Sequence, residues 1–107
     1  MATFVCNGEA IDYTPTADVA AGAVVVQGEL VGVAKQPIAA NTLGALAVMG
    51  VFDFPKATGS AIAAGALCYW DATNQLATTS SSGNKLIGKC VKAAAEVDTT
   101  VRVRMSQ

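Results

Sequence analysis

Histidine is absent from this chain, and charge of either sign is scarce, with charged residues at 14% against a usual ~25%. The first absence removes the commonest general base and the usual partner of a serine or cysteine nucleophile. With no C-x-x-C either, it leaves no ligand set for a structural zinc site. The second absence leaves little charge for solubility, so Ala, Gly, Ser, Thr and Asn must cover much of the surface. That suits a chain which buries surface against copies of itself or a partner. An Ala-rich domain with no such partner has the same composition, so composition alone leaves both open.

Other absences narrow the field further. The net charge is −1 and the seven Lys and Arg are spread along the sequence with no polybasic run. This argues against a nucleic-acid partner, which needs a basic patch to neutralise phosphates, and against an anionic membrane surface. The three cysteines, Cys6, Cys68 and Cys90, are odd in number and far apart, unlike a disulfide framework. Each lies in an apolar run and reads as a buried, reduced thiol, which implies folding in a reducing cytoplasm. No basic segment leads into an apolar one at Met1-Ala2-Thr3-Phe4, so export by a signal peptide is not expected. The longest apolar stretch, residues 43–52, holds two glycines and is too short to span a bilayer.

What is present is a series of short β-like runs between turn signals. A length of 107 residues sets the expectation of one domain over 1–107. Thr3-Phe4-Val5-Cys6 precedes Asn7-Gly8, a strong hairpin signal. Glu9-Ala10-Ile11-Asp12-Tyr13 alternates as a half-buried strand does. Residues 23–27 and 30–34 flank Gly28 and read as a hairpin. The run 44–54 is one bent strand or two, with Gly50 marking a bulge or a close backbone approach. Residues 66–70 and 76–79 read as partners across the turn Asp71-Ala72-Thr73-Asn74, which Asp71 is placed to cap. Residues 86–91 and 99–105 complete the set. In the last run Val101, Val103 and Met105 face one way and Thr100, Arg102 and Arg104 the other. Eight to ten short strands at this spacing predict an all-β fold, a small barrel or sandwich, with little or no helix. Residues 92–96 have helical propensity but neither cap nor apolar stripe.

A weak internal echo runs through the chain. Val19-Ala20-Ala21-Gly22-Ala23 leads into a strand and Leu30-Val31-Gly32-Val33 follows. Ile62-Ala63-Ala64-Gly65-Ala66 does the same, and Leu86-Ile87-Gly88-Lys89 follows. Ile38-Ala39-Ala40-Asn41 is a third, degenerate copy. The echo marks either a duplicated β unit or the chance recurrence of abundant Ala and Gly.

No catalytic constellation emerges. The serines and lysines stand in neither G-x-S-x-G nor S-x-x-K, and Ser80-Ser81-Ser82 reads as a polar loop. The eight carboxylates are isolated, and the glycines sit singly at strand ends, where turns need them. No cofactor, metal or catalytic residue is therefore assigned. Two features could bind a partner. Phe52, Phe54, Tyr69 and Trp70 hold four of the six aromatics; Tyr69 and Trp70 must point to opposite faces, one to the core and one to a surface. Arg102 and Arg104 share a strand face, either as charge protecting an edge strand or as partners for acidic residues of a neighbouring subunit. The candidate interface residues are Phe52, Phe54, Trp70, Arg102 and Arg104.

The segment Gly50-Val51-Phe52-Asp53-Phe54-Pro55-Lys56-Ala57-Thr58-Gly59, with Ala64-Gly65-Ala66-Leu67-Cys68-Tyr69-Trp70-Asp71, resembles the signature of a family of short phage and prophage proteins read as capsid-cement or head-decoration proteins. The Val-Ala-Ala-Gly turn, the Leu-Val-Gly-Val-Ala strand, the later Leu-Ile-Gly and the Val-Arg-Val-Arg finish extend the resemblance over nearly the whole chain. Cys68 stands where an ordinary apolar residue is expected. The resemblance implies a structural protein on the outside of the expanded phage head, made in the host bacterial cytoplasm. Its partners would be itself, as a homotrimer, and the major capsid protein, with neither nucleic acid nor membrane involved. It implies no catalytic residues. The competing reading is a small β-rich module that binds glycan or another surface through exposed aromatics; a small hydrolase would need a cleft with converging carboxylates or an activated serine.

Overall fold

The computed structural model describes residues 2–3 and 8–106. Among these there are nine strands and no helix: β1 (Ala10–Tyr13), β2 (Val24–Gln27), β3 (Leu30–Val33), β4 (Gly44–Ala47), β5 (Gly50–Pro55), β6 (Leu67–Asp71), β7 (Leu76–Thr78), β8 (Lys85–Lys92) and β9 (Thr100–Met105). They form two antiparallel sheets, one ordered β1-β4-β3-β2 and the other β5-β9-β8-β6-β7. The all-β expectation holds, and the two sheets are not joined into a closed barrel. The expected strand over Thr3-Phe4-Val5-Cys6 falls mostly on residues 4–7, outside the described residues.

The run 44–54 proves to be two strands in different sheets, parted at Gly50, whose φ of 119° suits glycine. Residues 92–96 form no helix: β8 runs on to Lys92, and Ala94 exchanges two backbone hydrogen bonds with Ile62. Asp71 caps its turn as expected. Its Oδ1 accepts from the Thr73 and Asn74 N–H groups at 3.0 and 3.2 Å, and these bonds with the Asn74 side chain hold the carboxyl below the usual range.

One core joins the sheets. Alternation along β9 buries Val101, Val103 and Met105, and Phe54, Trp70, Ile87, Cys68 and Cys90 lie with them. Val31 and Val33 of β3 close over this layer, with Val24 and Val26 of β2 packed at its margin. A smaller cluster of Ala34, Ile38 and Leu46 lies apart, against Ile11, Tyr13, Val19 and Val25. Cys68 and Cys90 are free, buried thiols.

The echo in the sequence is a repeated hydrogen-bonded unit. In the first copy the Gly22 N–H donates to the Ala34 carbonyl, the Ala34 N–H to Ala23, and the Ala23 N–H to Ala20. In the second, Gly65 donates to Cys90, Cys90 to Ala66, and Ala66 to Ala63. The strands that follow pair in matching register: Val24↔Val33 and Val25↔Gly32 in one, Leu67↔Lys89 and Cys68↔Gly88 in the other. In the third copy Asn41 has φ 63°, beside 84° at Gly22 and 86° at Gly65. Asn is among the few other residues that tolerate this region. Each sheet is thus one unit of the same strand order, and the second adds β7 at its edge. In both, the glycine of the third strand admits a neighbour: a Cβ on Gly32 would lie 2.9 Å from that of Leu46, and one on Gly88 would fall on the Arg104 carbonyl oxygen.

Candidate functional site

β9 lies between β5 and β8, so its outward side chains occupy the middle of a sheet face. The expectation that Arg102 and Arg104 protect an edge strand therefore fails: β9 has a neighbour on both sides, and nothing needs protecting there. Register fixes what surrounds them. Arg104 is opposite Val51 on one side and Lys89 on the other, and Lys89 is opposite Leu67. Arg102 is opposite Asp53 and Lys92. All of these side chains are exposed.

Four of the seven cations of the chain thus share one sheet face, which corrects the reading that they are scattered. They are separated in sequence, and the β8–β9 pairing brings them together. Asp53 is the one acidic residue within these rows, giving the four cations and one anion a local charge of +3. The other three cations are occupied or remote. Lys56 is buried, and its Nζ donates to the Ala57 and Asp98 carbonyls at 2.8 and 3.0 Å. Lys85 pairs with Glu29 at 2.7 Å, and Lys35 follows β3 in the other sheet and lines the groove described below.

Arg102 holds Asp53 through both ends of its guanidinium, Nε to Oδ1 at 2.9 Å and Nη2 to Oδ2 at 3.3 Å. This fork lowers the Asp53 carboxyl below its ordinary range, with a lesser pull from Lys92. Among the described residues, no carboxylate oxygen lies within 4 Å of Lys89, Lys92 or Arg104. Asp98, at the loop end of the same face, turns its Oδ2 to the Ala95 N–H at 2.8 Å. Apolar side chains alternate with the cations: Val51 is 54% exposed, Leu67 46% and Val91 45%.

The remaining interface candidates separate by burial. Phe54 and Trp70 are core residues, 1% and 2% exposed, with ring centroids 6.0 Å apart. They present nothing to a partner, because the alternation that turns Tyr69 outward turns Trp70 inward. Phe52 is half-buried and packs edge-on against Phe54 at 6.5 Å. Lys89 and Lys92 escaped the sequence reading, since a bulge between Cys90 and Lys92 breaks the alternation that would have paired them with the arginines.

A second surface adjoins the first. A groove of about 850 Å³ runs beside β4 and the start of β5, lined among others by Glu9, Lys35, Leu43, Met49 and Arg104. Leu43 is 71% exposed and Met49 47%, so the apolar side of the groove is open to solvent. Arg104 stands where groove and basic face meet. Among the described residues, no group of three Cys, Asp or Glu side chains converges on a metal-sized site.

The family model described as phage cement protein matches residues 5–105. No curated protein and no solved structure matches.

Proposed function

The chain belongs to the phage cement protein family, and from that premise we propose that it binds the outer surface of the expanded head and holds neighbouring major capsid subunits together. Membership points to a structural, non-enzymatic role in the phage capsid. The observation that carries the finer reading is the extent of the match, which spans both sheets rather than one motif.

The surface is consistent with such work. Leu43, Met49, Val51, Leu67, Val91 and Val97 are all exposed, more large apolar side chains than a sparsely charged free monomer keeps in water without cost. A cement protein acts as a homotrimer in this proposal, one β domain per copy. Many modest contacts repeated over a lattice then act by avidity. The glycan-binding alternative loses its principal anchor, since Trp70 is buried in the core.

The test is to mix the purified protein with undecorated expanded heads of its own phage and sediment them. Saturable co-sedimentation, with a higher temperature for DNA release from decorated heads, is the expected result. Heads that sediment bare would refute the proposal. Light scattering of the free protein and imaging of decorated heads report separately on the trimer.

A further inference from the structure

We infer that the outer face of the second sheet is the surface that meets the shell, and that it docks onto carboxylates of the shell's protein subunits. The inference rests on the cement reading above and names the contact that reading requires.

Lys89 faces Arg104 and Lys92 faces Arg102 directly across the β8–β9 pair, and like charges placed opposite in a sheet repel. Of these four cations, Arg102 alone has a carboxylate of the described residues in hydrogen-bonding range. A free chain gains nothing from this arrangement, whereas an acidic surface laid against it would satisfy three cations at once. A chain of net charge −1 also gathers four cations against two carboxylates, Asp53 and Asp98, on a single face. Such a patch steers an acidic partner to one orientation and raises the encounter rate.

The chemistry favours carboxylates on protein over a phosphate backbone. Asp53 stands within the patch, fixed by Arg102, where the rigid, evenly spaced phosphates of a duplex would meet it as a like charge that carboxylates on flexible side chains can avoid. Val51, Leu67 and Val91 lie among the cations, so the face offers apolar contact interleaved with charge, as protein interfaces do. Apart from Gly50, which opens β5, the described glycines of left-handed φ sit in turns and bends away from the strands, so they build no run of backbone amides for phosphate on this face.

The test uses three substitutions of equal charge change in the full chain: Lys89→Glu and Lys92→Glu on the face, and Lys35→Glu away from it. Each face variant is expected to bind expanded heads about tenfold more weakly and with a shallower salt dependence, while Lys35→Glu binds as the parent does. If the parent binds heads and the face variants bind equally well, or if Lys35→Glu loses as much, the inference is overturned while the cement reading stands. A second measurement needs no heads: amide shifts on titration with poly-L-glutamate, beside duplex DNA at equal charge. Shifts centred on residues 89, 92, 102 and 104 with poly-L-glutamate support the acid-docking face, even should the parent fail to bind heads. Shifts elsewhere, none at all, or tighter binding of DNA overturn it.

Discussion

Lys89 of β8 and Arg104 of β9 are register partners on the same exposed sheet face, two cations opposed with no carboxylate of the described residues within 4 Å of either. An arrangement that disfavours the free chain and favours an acidic partner should show opposite signs in the two settings.

Lys89→Glu converts the opposed cations into an ion pair. It should therefore stabilise the isolated protein by about 0.2–1 kcal/mol while weakening attachment to heads. Urea denaturation checks the first half and co-sedimentation the second. Loss of both stability and attachment would mean that Lys89 holds the fold rather than the contact.

The two sheet glycines should differ in tolerance. Gly32→Ala brings a Cβ to 2.9 Å from the Leu46 Cβ, a side chain that can yield a little, whereas Gly88→Ala drives it into the Arg104 carbonyl oxygen. Overpacking of the first kind costs about 1–3 kcal/mol, and the second should reach the upper end of that range or beyond. The urea midpoints of the two variants check the order.

Core truncation should follow volume. Trp70→Ala removes a ring that is 2% exposed and packs beside Phe54; the expected loss is about 3–5 kcal/mol, a large share of the roughly 5–15 kcal/mol that holds an ordinary domain folded. Ile87→Val, at a fully buried position, should cost about 0.5–1.5 kcal/mol and leave a folded chain for comparison. Equal losses in the two variants would refute the packing described.

Acid should weaken the fold in part through Asp53. The Arg102 guanidinium lowers its carboxyl below the ordinary value, so the pair contributes above the unfolded-state pKa, and its contribution is lost as pH falls through the lowered one. Both partners are half exposed, so the effect is modest. Urea midpoints measured from pH 7 to pH 2 should fall less steeply for Asp53→Asn than for the parent.

Burial pushes the Cys68 thiol up to about 11, with the neighbouring Cys90 adding to the shift. At pH 8 about one Cys68 in a thousand is thiolate, and thiolate is the reactive form. In a Cys6→Ser background, a thiol reagent should therefore label the native protein slowly and both remaining cysteines at once in urea. Rapid native labelling would contradict the buried placement.

The strands were legible in the sequence where alternation is uninterrupted. Residues 100–105 read correctly face by face, because each apolar side chain is flanked by polar ones. The hairpin around Gly28 and the Asp71 turn were legible from turn chemistry. Sheet order was not, since β5 pairs with β9 across the full length of the second unit and nothing local records that choice. The basic face stayed hidden for the same reason: two halves of it come from different strands, and the bulge beside Lys92 shifts the pattern by one residue. Aromatic residues drew attention as interface candidates by their size, but size equally suits a core, and Phe54 and Trp70 went there. The echo was legible as sequence, yet only its hydrogen bonds show that it is a unit of folding.

Strand order also imposes a timetable. β5 has no strand to pair with until β9 exists, about 50 residues further along the chain, which at ordinary translation rates is roughly 3 to 10 seconds of synthesis. The first sheet has all four of its strands by residue 47 and need not wait. During the interval β5 is a lone strand carrying Phe52 and Phe54, the kind of segment that seeds aggregation. Asp53 between those rings and Pro55 at the strand's end are the two residue types that interrupt such association. Before Asp53 ever meets Arg102, its charge stands where a gatekeeper of the nascent chain would stand.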